Sequence, residues 1–211
     1  MAHTTLPGSP QGSFQRARSA AQKQQRVDAI LAAGRHQLGR DGVLPVSLGT
    51  MAAEVGLHKS AILRYFETRE DVFLQITAQE WQDWAREVDA AVTPATHSAS
   101  VLASILARTL AGRTLFCELL AHVPFAFEPR VSADAVAGFR GRVRAASGII
   151  STAVARVLPR LDAPELDDLV VAATSLAPSL RASDAFEERL ERLLMVFLLG
   201  LIDESAAGGR G

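Results

Sequence analysis

The chain has 211 residues, of which 48% are hydrophobic and 21% charged, and a formal net charge of −1. That is enough apolar material to bury a core and too much for general disorder. Its single cysteine excludes an intramolecular disulfide and a zinc site built from several thiolates.

The near-neutral total hides an uneven distribution. Residues 1–70 carry nine Lys+Arg against five Asp+Glu, or +4, whereas residues 71–211 carry 13 against 18, or −5. A modestly basic front therefore precedes an acidic rear. The longest apolar run, Leu193–Ile202, is ten residues, where a membrane-spanning helix needs about 20. The first residues contain no apolar stretch of signal-peptide length. A cytoplasmic protein without a membrane partner is expected.

In chain order, residues 1–20 mix Gly, Pro, Ser and Gln without periodicity and read as a flexible tail. From Gln22, the residues Val27, Ile30, Leu31, Gly34 and Leu38 fall on one helical face. Asp41-Gly42 should stop that helix, with glycine where a C-cap wants it. Ser47 can cap a second helix over Leu48–Val55. Gly56 breaks it, and a third is predicted from about His58 to Phe66. Thr68 can cap a fourth helix, with Asp71 three residues on. Its stripe would be Phe73, Thr77, Trp81, Trp84 and Val88. Further helices are predicted over about 98–111, 113–124, 132–158, 164–181 and 185–203, punctuated by Pro124, Pro129, Pro159 and Pro164. No alternating strand pattern is present, so the fold class is all-α. Domains are expected at 21–70 and 71–205, with 206–211 a second flexible tail.

The stretch from Ser47 to Phe66 has helix-turn-helix spacing. Ala52 is small enough for two helices to approach, and Gly56, four residues later, permits the tight turn. Met51, Val55, Leu57 and Ile62 are apolar where the pair must bury its inner face. The third helix then presents His58, Lys59, Ser60, Ala61, Arg64 and Tyr65, with Ser47 and Thr50 at the start of the second. Small residues admit close approach to base edges, and Lys59 and Arg64 can neutralise phosphate or read guanine. The same spacing also fits a plain helical hairpin with a solvated basic face.

The run from Val27 to Ile76 resembles the TetR (tetracycline-repressor-like) family of bacterial transcription regulators. The resemblance rests on ILAAGRHQLGRDG and VSLGTMAAEVGLHKSAILRYFETREDVFLQI. Ser47, Ala52, Gly56, Lys59, Tyr65-Phe66 and Arg69-Glu70-Asp71 occur there in the family's order. Leu63 departs from it, since an aromatic phosphate contact is common at that position. His58 replaces a small polar residue. The resemblance implies a recognition helix in the major groove of double-stranded DNA and dimeric binding to a near-palindromic operator. It also implies a four-helix dimer interface made by the last two helices. Phe186–Asp203, which ends almost wholly apolar, suits that role.

The resemblance further implies an effector pocket in the rear body. Its candidate lining is Trp84, Phe116, Cys117, Leu120, Phe125, Phe127 and Phe139, with Arg113, Glu118 and His122 as polar anchors. Aromatic residues at this spacing serve equally as plain core. Such a lining would suit a hydrophobic or amphipathic small molecule. Glu118 and His122 are placed to pair on one helix. No nucleophile elbow, phosphate loop or metal-ligand spacing occurs, so neither an enzyme, a metal site nor a cofactor is expected. The expected function is a sequence-specific DNA-binding regulator, a repressor released by its effector. The alternative is a ligand-independent dimeric regulator or an activator.

Overall fold

The computed structural model describes residues 10–208. Nine α-helices and no strands occur among them. They form two compact units, Met1–Glu67 and Thr68–Gly211.

The first unit holds α1 (Pro10–Asp41), α2 (Leu48–Glu54) and α3 (Lys59–Ile62). α1 begins at Pro10, so residues 10–20 of the expected tail are helical, and residues 1–9 lie outside the described part. Proline fits a first helical position, where its missing N–H is no loss. Ala, Gln and Arg then carry the helix without needing an apolar face. Farther along, Ile30, Leu31, Gly34 and Leu38 are buried as their spacing predicts. The Gly42 N–H closes the helix on Leu38 O at 3.0 Å, with φ at 76°.

α2 and α3 meet through a turn that glycine makes possible. Gly56 has φ 67°. Its N–H bonds Ala53 O at 3.2 Å while Leu57 N–H bonds Ala52 O at 2.8 Å. This is a Schellman closure, whose left-handed residue strains any side chain bearing a Cβ. Met51, Ala52, Ile62 and Phe66 are buried, whereas Val55 and Leu57 are half-buried. α3 is shorter than the expected His58–Phe66. Beyond Ile62 the chain tightens into turns, with Arg64 N–H bonding Ala61 O and Tyr65 N–H bonding Ile62 O.

The second unit comprises α4 (Arg69–Ala91), α5 (Ala99–Ala111), α6 (Thr114–His122), α7 (Ala133–Val157), α8 (Ala163–Leu180) and α9 (Phe186–Gly208). Thr68 caps α4 by accepting the Asp71 N–H at 3.1 Å. Asp162 and Glu165 form a reciprocal capping box on α8. α4 is the central helix, packed against α7, α5 and α6. The whole predicted stripe Phe73, Thr77, Trp81, Trp84 and Val88 is buried. α9 packs on α5 and α8 through Leu190, Leu194, Leu198 and Leu201.

α6 stops at His122 rather than residue 124, because Pro124 cannot supply the next N–H. A π-helical turn, Val123–Phe127, and a 3-10 turn, Glu128–Arg130, follow. They turn Phe127 into the core at 1% exposure and leave Phe125 84% exposed. No single described helix is long and apolar enough to cross a membrane; α5 and Thr114–Arg130 pass only as a pair bent by 84°.

Candidate nucleic-acid interface and effector groove

On the first unit, the start of α2 is fixed by side chains. Thr50 N–H donates to Ser47 Oγ at 3.2 Å, and Ser47 N–H donates back to Thr50 Oγ1 at 3.0 Å. The Thr50 hydroxyl donates to Gln37 Oε1 at 2.7 Å, and Gln37 Nε2 donates to Glu54 Oε2 at 2.6 Å. The other Glu54 oxygen faces His36 Nδ1 at 2.9 Å. These bonds tie α1 to both ends of α2 and hold the Glu54 carboxyl below the usual range, Gln37 first and His36 second among the causes. Ser47 and Thr50 thus set the pose of α2 with the groups expected to touch DNA.

His58 caps α3. Its Nδ1 accepts the Ser60 N–H at 3.4 Å and lies 2.9 Å from Ser60 Oγ. Lys59, Ser60 and Arg64 are exposed, and Ala61 and Tyr65 half-buried. The structure adds two cations to this set. Lys23 and Arg26 of α1, with Gln22 and Gln25, line one open groove of about 840 Å³ with Arg64 and Tyr65. Their three-residue spacing on one helix face was a usable signal, masked by the polar residues around them. Leu63, 52% exposed, leaves an apolar side chain on the surface just before Arg64, of a kind that can meet a thymine methyl.

On the second unit, an open groove of about 730 Å³ lies among α4, α6, the π turn, α7 and α8. Of the expected effector residues, Leu120, Phe125 and Phe139 line it, joined by Trp81. Trp84, Phe116, Cys117 and His122 are not among its lining residues. Trp84 and Phe116 are sealed at 0% exposure, and Trp84 Nε1–H donates to Thr109 Oγ1 at 3.0 Å. With Trp81 they form an aromatic cluster, ring centroids 5.5–6.0 Å apart. They are core because they lie on the face of α4 that packs against its neighbours, whereas Gln82, Arg86 and Glu87 on the other side are exposed.

The expected polar anchors are also committed elsewhere. Arg113 pairs with Glu80 at 3.2 Å and Glu87 at 2.7 Å, tying the start of α6 to α4. Glu118 receives Arg181 at 3.1 Å instead of His122. His122 stacks on Phe127, centroids 5.8 Å apart. Cys117 is buried, and burial pushes its thiol up to about 11. The folded chain therefore holds far less thiolate at pH 8 than the unfolded one. A thiol reagent at pH 8 should accordingly label the native chain on the order of 10–100-fold more slowly than the unfolded chain. Equal labelling rates would show that Cys117 is open to solvent. Among the described residues, no group of three or more His, Cys, Asp or Glu is placed to hold a metal.

Family profiles match both parts of the chain. Residues 30–76 match the bacterial regulatory proteins of the tetR family, and residues 78–194 match the tetracyclin repressor-like C-terminal domain. The chain belongs to the TetR family. No curated protein matches it by sequence. Solved structures share its fold. FadR from Thermus thermophilus, a TetR-family repressor crystallised with lauroyl-CoA, aligns with a TM-score of 0.60 at 15% identity, over 82% of this chain and 93% of that one. RolR in complex with resorcinol gives 0.59 at 12% identity, over 83% and 88%. A TetR/AcrR-family regulator from Thermobifida fusca gives 0.51 at 20% identity, over 81% and 97%. The TetR family is one of transcriptional regulators, and the resemblance read from the helix-turn-helix residues is correct.

Proposed function

We propose that this TetR-family chain is a cytoplasmic, homodimeric, sequence-specific DNA-binding regulator that represses by occupying a near-palindromic operator. The observation that carries the reading is the gathering of Lys23, Arg26, Arg64 and Tyr65 on one groove of the helix-turn-helix unit. α3 would enter the major groove with Lys59, Ser60 and Ala61 toward the bases, while the α1 cations and Tyr65 hold the backbone. A single unit offers too few contacts to select one genomic site, and two-fold doubling multiplies the discrimination. The exposed apolar residues Val171 of α8 and Leu193, Val196 and Leu199 of α9 supply a surface for the second copy.

The groove of the second unit is the proposed effector site. Its volume of about 730 Å³ suits a drug-sized molecule. The ligand-bound FadR and RolR structures support an effector-responsive reading of this fold. A ligand that fits one arrangement of the dimer better than the DNA-bound one would shift the population off the operator.

The interface assignment is tested by anisotropy titration of a selected operator at several salt concentrations. Lys59→Ala and Tyr65→Ala are expected to weaken binding, with the dimer intact. Lys23→Ala and Arg26→Ala should each lower the salt slope by about one and weaken all sequences alike. Unchanged binding in all four variants at every salt concentration would refute the assignment.

A further inference from the structure

The effector groove carries a charge pattern that specifies its ligand more narrowly than size and apolarity do. Its body is apolar, with Trp81, Leu120, Val123, Phe139 and Val143 along the walls. Its ionisable lining consists of Glu128, Arg140 and Arg144. Two of these neutralise each other. Arg140 grips Glu128 with both forks, Nε to Oε1 at 3.1 Å and Nη2 to Oε2 at 2.7 Å. The guanidinium is held above its ordinary value by that carboxylate.

Arg144 stands one helical turn beyond Arg140, on the same face of α7. It is exposed, and no carboxylate among the described residues pairs with it. The groove therefore holds one uncompensated positive charge beside an apolar body. On the facing helix α8, Thr174 and Ser179 turn their hydroxyls back onto Val170 O and Ser175 O. That wall adds no second charge.

Resting on the effector reading above, the geometry points to an amphipathic carboxylate as the ligand class, its apolar body against Trp81 and Phe139 and its carboxylate on Arg144. A guanidinium fork matches a carboxylate in a planar, two-bonded pair. One unmatched cation suits one negative charge. A polyphosphate head would bring several negative charges to a single unmatched cation. A neutral alcohol would leave Arg144 unused, and an amine would be repelled by it.

The test titrates the full chain with decanoate, decanol and decylamine below their aggregation limits, at pH 7.5, following tryptophan emission and calorimetric heat. Decanoate should bind at least tenfold tighter than decanol, and decylamine weakest. Arg144→Gln should bring decanoate down to the decanol affinity while leaving decanol binding and the melting temperature unchanged. Arg144→Lys should keep part of the preference. Equal binding of decanoate and decanol, or a preference surviving Arg144→Gln, would overturn the carboxylate assignment and leave the groove as an effector site. Failure of all three probes to bind would overturn the groove itself as the effector site, and this assignment with it.

Discussion

Val196→Glu is expected to leave the chain folded, convert it to a monomer and abolish operator binding. Val196 is 64% exposed on α9, with Leu193 and Leu199 beside it and Val171 60% exposed on α8. Val196 and Val171 stand mostly outside the core of their own unit. The opposite side of α9, with Leu190, Leu194, Leu198 and Leu201, already holds the helix in place. A glutamate at 196 therefore meets water in the monomer at little cost. In a two-fold dimer the same change is made twice, so two carboxylates enter an apolar contact without partners. Burying an unpaired charge costs several kcal/mol, and each ~1.4 kcal/mol weakens association tenfold. Sedimentation equilibrium should show a monomer with native helicity, and the operator shift should disappear. A Val196→Glu dimer that still binds DNA would place the interface elsewhere.

Trp84→Ala should cause the largest loss of stability of any single change in the second unit. Trp84 is at 0% exposure at the centre of α4, in contact with the Trp81 and Phe116 rings. Truncating a buried aromatic to alanine costs about 3–5 kcal/mol, through lost transfer energy and the cavity left behind. The Thr109 hydroxyl also loses the indole N–H that it accepts, although it still donates to Leu106 O at 3.1 Å. For a unit of this size the expected fall in melting temperature is roughly 6–20 °C. Trp84→Phe, which keeps most of the volume, should cost about 1–2 kcal/mol. A melting temperature within ~2 °C of wild type for Trp84→Ala would mean that this cluster is not the core of the unit.

Much of this organisation was legible in the residues. The α4 stripe, the Ser47 and Thr68 caps and the left-handed glycines at 42 and 56 follow from local rules of periodicity and turn chemistry. They hold because each depends on neighbours within a few residues. The start of α1 did not show itself, since Gln11 to Ala21 form a helix without an apolar face and so give no period to read. The candidate effector groove was the harder case. Periodicity marks Trp81, Trp84, Phe116 and Phe139 equally as apolar. Only the packing of α4 between α7 and α6 decides that Trp84 and Phe116 are sealed while Trp81 and Phe139 reach the groove. Phe125 and Phe127 are two residues apart, which already sets them on opposite sides of a helix, but only the packing decides that Phe127 is the one turned inward.

The central claim is that α3 and the cations beside it make a dimeric, sequence-specific DNA reader. Selection of genomic DNA fragments by the purified wild-type chain, run in parallel with the Lys59→Ala/Arg64→Ala double variant, tests it most directly. Wild type should enrich a near-palindromic site with half-sites about one helical turn, or a multiple of it, apart, and the double variant should enrich none. No enrichment by wild type at any salt concentration, or the same site recovered by the double variant, would contradict the account.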